Sequence, residues 1–299
     1  MKNCIFILFL FLSGCFSGQH QFLWENDFVA PNGKDKNYTN GNAWIYSPDE
    51  ETTVTVAQQF YTPDDLRDPD LIPDDRPYAG QLSVGYNKHN VERFADDSGS
   101  KESVGVKVGC TGGCSGAETI QKFVHDDLDS GTYPEGWHNQ IATEPTVAVN
   151  YEYLYRPIFI STGDDFALDT IMKARGDLGT DITRATTGPM VRFGYRLPND
   201  FGPDVIETTG IESESEGIFR SYLYARAEGT ATLYNIFIDN HLFNSGTQLD
   251  LENWGADMAT GLMLHVCGYK VGFQFIWRTK EYAGDSTHKF GSVTLGWDI

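Results

Sequence analysis

Positive charge is scarce in this 299-residue chain: 22 Lys and Arg residues stand against 42 Asp and Glu residues, giving a formal net charge of -20. A surface with so few cations is a poor match for nucleic-acid phosphates, so we expect no nucleic-acid partner. After the first residues, no apolar stretch is long enough for a transmembrane helix. Apolar residues still make up 40% of the chain and aromatic residues 13%, more than disordered chains carry.

Residues 1–18 predict a secretory signal rather than part of the fold. Lys2 supplies a positive charge, residues 4–12 form a short apolar core, and small residues follow. Leu12-Ser13-Gly14-Cys15 fits a bacterial lipobox, in which Cys15 would be acylated, and ordinary cleavage near residues 17–19 is the alternative. No linker rich in Ser or Pro follows. We therefore expect an exported protein with one folded domain, residues 19–299.

The chain contains 5 cysteines, and export affects how they are interpreted. Cys4 would leave with the signal. Cys110 and Cys114 flank Thr-Gly-Gly and could close a small disulfide loop, which would leave Cys267 unpaired. A metal site at Cys110 and Cys114 is the weaker alternative, because no second Cys or His pair lies nearby in the sequence.

Alternation of apolar and polar residues is the dominant pattern after the signal. It is clearest over residues 82–86, 147–155, 269–277 and 293–299. Such alternation is typical of strands with one apolar and one polar face. A soluble β-sandwich has the same pattern, so alternation alone leaves two fold classes open.

Three features favour a membrane barrel over the sandwich. The apolar faces end in Tyr, Trp and Phe, as interfacial girdles require, the chain carries an export signal, and the last strand runs to Ile299. We therefore predict an all-β fold: a transmembrane antiparallel up-and-down β-barrel of about twelve strands, monomeric, in the outer membrane of a Gram-negative cell. The strand centres fall near Leu23, Ala43, Val56, Val84, Val106, Val149, Leu168, Val191, Leu223, Leu262, Phe273 and Leu295.

A periplasmic N-terminus would place the loops after odd-numbered strands outside the cell. Ala117 to Leu128 lacks Gly and Pro and predicts a short helix in the third of these loops. Gln121 and His125 are four residues apart on this helix and so share one face. A histidine can act as a general base, although a lone helical histidine is more often structural.

Polar side chains gather where the first two predicted strands meet. Glu25, Asn26 and Asp27 end the first strand, and Tyr38-Thr39-Asn40-Gly41 opens the second. In a hairpin these ends are neighbours, and their carboxylate, amide and hydroxyl oxygens are the hard ligands that Ca²⁺ prefers. The same residue types are ordinary hairpin-loop residues, so a purely structural role stays open.

The remaining motifs indicate a structural role or match no known catalytic or metal site. Asp75 and Arg76 could hold a loop by an ion pair, with Pro77 at a strand start, where proline is tolerated. The acidic run 64–75 lacks the glycine and the terminal glutamate of an EF-hand. The sequence contains no serine-hydrolase elbow, phosphate-cradling loop or zincin pair.

A series of short segments nevertheless follows the order found in one family. These segments are Glu25-Asn26-Asp27-Phe28, Tyr38-Thr39-Asn40-Gly41, Asp75-Arg76-Pro77-Tyr78-Ala79-Gly80, Gln121-x-x-x-His125, Gly136-Trp137-x-x-Gln140, Val191-Arg192-Phe193-Gly194-Tyr195, Asp200-Phe201-Gly202-Pro203, Phe237-Ile238-Asp239-Asn240 and Arg278-Thr279-Lys280-Glu281-Tyr282. Over nearly its whole mature length the chain resembles the outer-membrane lipid A 3'-O-deacylase family, LpxR.

The resemblance implies a Ca²⁺-dependent esterase at the outer rim of the barrel. Its substrate would be lipid A of lipopolysaccharide in the outer leaflet, from which it would remove an ester-linked acyl(oxyacyl) chain. The resemblance assigns Asn26, Asp27, Thr39, Gln121 and His125 to active-site positions, with His125 as general base and Asp27 as a metal ligand.

The sequence departs from the family pattern at two points. A basic residue of the second outer loop corresponds best to Arg67, although the loop length differs. An acidic residue that follows the histidine in some members falls near Gly131, so its place in a calcium shell would pass to another acid: Glu118, Asp126, Asp127 or Glu144.

A non-catalytic or channel-forming outer-membrane barrel is therefore the alternative. The interior of a barrel of about twelve strands, which side chains can largely fill, argues against the channel.

Overall fold

The structure is a computed structural model, and it describes residues 17–30, 36–94, 98–127, 132–161, 165–203, 205–206, 219–239, 243 and 249–299. The predicted signal, except for residues 17–18, and the lipobox with Cys15 lie outside the described residues.

Twelve antiparallel strands close into a barrel within the described parts of the chain. They are β1 (Gln19–Asn26), β2 (Asn37–Asp49), β3 (Thr52–Thr62), β4 (Ala79–Arg93), β5 (Gly99–Thr111), β6 (Pro145–Ser161), β7 (Phe166–Gly179), β8 (Ile182–Tyr195), β9 (Phe219–Asn235), β10 (Trp254–Val266), β11 (Tyr269–Arg278) and β12 (His288–Asp298). Each strand pairs with its neighbours in sequence, and β12 pairs with β1. Every predicted strand centre lies inside one of these strands, so the predicted up-and-down barrel is confirmed.

The outer surface of the barrel is apolar. Val106, Val149, Phe193 and Leu223 point outward with 42%, 51%, 48% and 60% of their surface exposed. Their neighbours in each strand point into the barrel, because successive strand residues face opposite sides. No helix among the described residues is both long and apolar enough to cross a bilayer.

Charged side chains fill the barrel interior in mutually bonded groups. Arg175 Nη2 lies 2.7 Å from Asp177 Oδ1, and Lys173 Nζ lies 3.1 Å from Glu228 Oε1. The connection between β8 and β9 folds back into this space: Phe201 packs on the inward-facing Leu154 and Ile171. Side chains therefore occupy much of the interior of the described barrel, as expected for this strand number.

Apart from the β8–β9 connection, the longer connections follow odd-numbered strands. The one after β5 contains α1 (Ala117–Asp127) between two short 3-10 turns, Gly112–Ser115 and Gly136–Asn139. The predicted helix is therefore present. The predicted Cys110–Cys114 disulfide closes at the start of this connection, and among the described residues Cys267 is a free, exposed cysteine. Outer-membrane barrels turn the end with the longer loops away from the cell.

Candidate functional site

The ends of β1 and β2 form a polar corner on the outer face of the barrel. Asn26 pairs with Asn40 in the β1–β2 register, and its Nδ2 donates to Asn40 Oδ1 at 3.3 Å. The indole nitrogen of Trp24 donates to the same oxygen at 2.9 Å. Because Trp24 lies on the outer surface with 37% of its area exposed, the corner faces the membrane side of the wall rather than the interior.

Asn26 and Asp27 are held by local hydrogen bonds. Asn26 caps the 3-10 turn Asp27–Val29, and its Oδ1 accepts from the Phe28 backbone N–H at 2.8 Å. The Asp27 side chain is fully buried, and its Oδ2 accepts from the Lys36 backbone N–H at 3.1 Å. Turn capping is therefore a real role of Asn26, and its effect is to fix the neighbouring Asp27 carboxylate beside the start of β2.

Thr39 lies in an irregularity of β2. The β2–β3 register shifts between Tyr38 and Asn40, so Thr39 stands opposite no residue of β3. Its hydroxyl lies 2.6 Å from Thr62 Oγ1, and both side chains are buried. Bulges of this kind re-aim a side chain at a strand end. The structure thus brings Asn26, Asp27 and Thr39 to one corner, as the hairpin argument predicted.

One row of paired residues extends from the corner across the outer face. Asn26 pairs with Asn40, Asn40 with Phe60, and Phe60 with Gly80. A Cβ on Gly80 would lie 2.6 Å from the Ala117 Cβ, closer than real Cβ atoms approach. Glycine is therefore what allows the start of α1 to lie directly on β4.

The face of α1 that meets the wall carries the predicted helical residues. Ala117, Gln121 and His125 recur at four-residue spacing, and all three are buried, with 1%, 2% and 8% of their surface exposed. Ala117 packs with Phe60 of the wall. Because residues four apart lie on one side of a helix, Gln121 and His125 are held between α1 and the same outer face that carries the corner.

Trp137 connects this helix to the barrel wall and to the loop after β3. Its indole N–H donates to Gln121 Oε1 at 2.7 Å. Its ring meets Phe60 edge-on at 6.3 Å and Tyr78 at 4.9 Å, and no part of it is exposed. Sequence reasoning gave Trp137 no role in the site. The available signal was a large aromatic residue with a polar N–H inside a loop, which needs both burial and an acceptor.

Arg67 does not join the other predicted residues. Its side chain is 73% exposed, and its Nε lies 3.5 Å from Asp65 Oδ1 in the same loop. Lys36, which was not predicted from the sequence, is a basic residue that contacts the corner. Its backbone binds Asp27, and its Nζ lies 3.4 Å from Asp64 Oδ1.

The prediction that Asp75 and Arg76 form an ion pair with each other is wrong, because Arg76 pairs with Glu281. Arg76 Nη2 donates to Glu281 Oε2 at 2.8 Å, while the Tyr282 hydroxyl donates to Asp75 Oδ1 at 2.7 Å. Burial alone would lower the pKa of Arg76, but the charge of Glu281 raises it. Burial and the bond to Asp75 raise the pKa of Tyr282. These four residues fasten the loop after β3 to the loop after β11, and we call them the clasp.

The oxygens at the corner fit Ca²⁺ in kind: the Asp27 carboxylate, the Asn26 carboxamide and the Thr39 hydroxyl are hard donors. In the described part of the chain, no three His, Cys, Asp or Glu side chains lie close enough together to hold a metal ion. The three corner residues would offer a calcium ion one carboxylate, from Asp27, and two neutral oxygens.

The four acidic residues named as alternative calcium ligands either make other contacts, are exposed, or have side chains outside the described residues. Glu118 Oε1 binds Lys122 at 2.6 Å, and this bond raises the pKa of Lys122. Glu144 is buried, and its Oε1 accepts from the Phe243 backbone N–H at 3.2 Å. Asp126 is exposed on α1. The side chain of Asp127 and residue Gly131 lie outside the described residues.

A closed barrel with an apolar outer surface and a filled, charged interior defines an outer-membrane β-barrel protein. The family model described as outer membrane protein LpxR matches residues 5–299. The chain therefore belongs to the LpxR family of outer membrane proteins, and the predicted resemblance and outer-membrane location are confirmed.

One solved structure shares the fold of this chain over nearly its whole length. The structure of LpxR from Salmonella typhimurium has a TM-score of 0.81 at 14% identity, over 94% of this chain and 100% of that one. The beta domain of the Bordetella autotransporter BrkA gives a TM-score of 0.49 at 8% identity, over 95% of this chain and 100% of that one. No protein of curated function has a matching sequence. At 14% identity, the likeness to the Salmonella structure shows the fold alone.

Proposed function

We propose that the protein is an outer-membrane esterase, a lipid A 3'-O-deacylase that hydrolyses an ester-linked acyl(oxyacyl) chain. The observation that carries the proposal is the side of the wall on which the polar residues lie. Gln121 and His125 are buried on the face of α1 whose Ala117 packs against Phe60 on the outer side of the wall. A lipid of the outer leaflet reaches this face by lateral diffusion, so its ester need not leave the membrane. Family membership supports the same activity.

His125 is proposed as the general base. A neutral imidazole takes a proton from water as the water oxygen attacks the acyl carbonyl carbon. The bond between the acyl carbon and the ester oxygen then breaks, the acyl chain leaves as a carboxylic acid, and the proton taken by His125 passes to the ester oxygen, which stays on the sugar as a hydroxyl. Burial of His125 would limit the water that reaches the ester.

Asn26, Asp27 and Thr39 are proposed to hold the calcium ion. When bound, Ca²⁺ would supply Lewis-acid polarisation of the ester carbonyl and stabilise the developing oxyanion. The chain's own part is to keep the Asp27 carboxylate in place, through the Lys36 N–H and the Asn26 cap. Arg67 stays in the proposal as the basic residue of the second loop, where its exposed guanidinium can meet a phosphate of lipid A.

The test is mass spectrometry of lipid A from cells that express each variant, with and without added Ca²⁺. His125→Ala should lower the rate by ~10²–10⁴-fold, because a positioned base is lost. Asp27→Ala should abolish deacylation, and chelation of the wild type should reproduce that loss reversibly. Both variants should keep the heat-modifiable gel mobility of a folded barrel.

His138→Ala is the matched control. His138 follows Trp137 in the chain, is exposed, and has its Nε2 3.2 Å from Asn139 Nδ2. Its loss should leave deacylation unchanged. If the wild type leaves the lipid A mass unchanged in calcium, the barrel is non-catalytic or a channel and the proposal is wrong. If His125→Ala stays active, His125 is not the base.

A further inference from the structure

We propose that Trp137 is a positioning residue of this site. Its indole N–H holds the Gln121 carboxamide by the oxygen, and the amide nitrogen is thereby presented as a hydrogen-bond donor to the substrate oxyanion. The inference rests on the proposed esterase function and deepens it, because it assigns Gln121 a chemical role and Trp137 a task.

The bond determines which way round the carboxamide lies. An indole N–H can only donate, and a carboxamide has one accepting oxygen and one donating nitrogen. The 2.7 Å contact therefore requires Oε1 toward Trp137 and Nε2 away from it. A flipped amide would set one donor against another.

The amide nitrogen of Gln121 is buried without a hydrogen-bond partner among the described residues. Only 2% of the Gln121 surface is exposed. A buried donor of this kind needs an explanation in a native structure, because nearly all such groups are bonded. An acceptor on a bound substrate supplies one.

Trp137 can hold this orientation because it is itself immobile. It is fully buried between Phe60 of β3 and Tyr78, and the Tyr78 hydroxyl donates to the Leu66 carbonyl at 2.9 Å. The Glu135 N–H donates to the same carbonyl at 2.8 Å. Trp137 is thus tied to the wall and to the loop after β3, so Gln121 keeps its position relative to the outer face.

A fixed donor here has the chemistry that the reaction needs. Negative charge develops on the carbonyl oxygen as water adds, and a donor already in place stabilises it without reorganising. Gln121 precedes His125 by one helical turn, which separates the two residues by about 6 Å along the axis. The donor and the base would therefore act on the same ester from one side of the helix.

The experiment measures kcat and KM of purified protein in detergent with lipid A and Ca²⁺. Trp137→Phe keeps the ring packing and removes the N–H, so kcat should fall roughly fivefold to tenfold, the effect of one hydrogen bond, while KM stays unchanged. Gln121→Glu keeps the acceptor for Trp137 but loses the amide donor, and should cost about 10²-fold or more in kcat.

A double-mutant cycle separates positioning from packing. In a Gln121→Ala background, Trp137→Phe should cause no further loss, because Trp137 acts through Gln121. His138→Ala, which changes the exposed residue next to Trp137 in the chain, should retain the wild-type kcat.

The inference is overturned if Trp137→Phe retains full kcat, or if it causes the same fractional loss in both backgrounds, since its role is then structural. A wild type that releases no acyl chain overturns the proposed function and this inference with it. Heat-modifiable mobility of each variant identifies a loss that comes from unfolding. Should Trp137→Phe fail to fold, a Gln121→Glu enzyme with wild-type kcat would still refute the donor role.

Discussion

Replacing Arg192 by methionine should release the turn that fills the barrel interior. The Arg192 guanidinium is fully buried and binds Asp169 at 2.9 Å and 2.5 Å through Nε and Nη2. It also bonds the Asp200 carboxylate, and its Nη2 donates to the Asp200 and Pro198 carbonyl oxygens at 3.1 Å and 3.3 Å. One side chain of β8 thus holds the β8–β9 turn inside the barrel.

The magnitude follows from what the substitution leaves behind. Arg192→Met strands two buried carboxylates, and removing one partner of a buried ion pair costs about 3–5 kcal/mol. The Arg156 guanidinium still donates to the Asp200 carbonyl at 2.9 Å, so the loss should lie near the lower end of that range. Adding Asp169→Asn and Asp200→Asn should recover much of it, because the unpaired charges are gone.

Two measurements test this reasoning. Urea unfolding in detergent micelles, followed by heat-modifiable mobility, should give a lower midpoint for Arg192→Met and partial recovery for the triple variant. Conductance in planar bilayers should rise above the wild-type level as the turn leaves the interior. Deacylation should persist, since the candidate site lies on the outer face. A free energy of unfolding within about 1 kcal/mol of the wild type would refute the argument, because removing one partner of a buried ion pair costs more than that.

Two further variants test the helix contact and the clasp. Gly80→Ala should lower deacylation by roughly 10²-fold, since its methyl would displace Ala117 and shift α1. Gly85→Ala in the same strand is the control, because its methyl would meet no atom closer than 3.9 Å. Mass spectrometry of lipid A should show unchanged deacylation for this control. Because the pKa of Tyr282 is raised on folding, the free energy of unfolding should fall as pH rises above the usual tyrosine pKa of about 10. Tyr282→Phe should reduce that fall in urea titrations, and equal slopes for both proteins would contradict the role of its bond to Asp75.

The barrel could be predicted from the sequence because lipid on one side of each strand and a polar interior on the other make apolar and polar residues alternate. Lipid outside and charged groups inside require alternation in every strand, as around Val149 and Leu223. The fold of the β8–β9 connection has no such signal. Leu197 and Phe201 are buried by contacts with distant strands, and Arg156 and Arg192 bond its backbone, so no local period marks it.

The candidate site could be predicted only in its local parts. Asn26 and Thr39 meet because a hairpin joins their strands, and Gln121 and His125 share a face because a helix has a fixed period. The docking of α1 on the outer wall depends on Gly80, more than thirty residues away in sequence, and could not be read from the helix. The exposure of Arg67 and the Arg76–Glu281 pair also depend on tertiary contacts that carry no sequence pattern.

The distribution of charge gives a physical reason to propose a divalent cation at the corner. The chain has only 22 Lys and Arg residues, and several are occupied by internal bonds: Lys173 by Glu228, Arg175 by Asp177, and Arg192 by Asp169. Each of these cations is paired with an acid inside the barrel, so none of them offsets the remaining negative charge of a chain whose formal net charge is -20. Lipid A carries phosphates, so a negatively charged protein repels it unless positive charge is supplied from elsewhere. A hard-oxygen corner on the lipid-facing wall, with Asp27 at its centre, is where Ca²⁺ would offset that repulsion and also meet the ester.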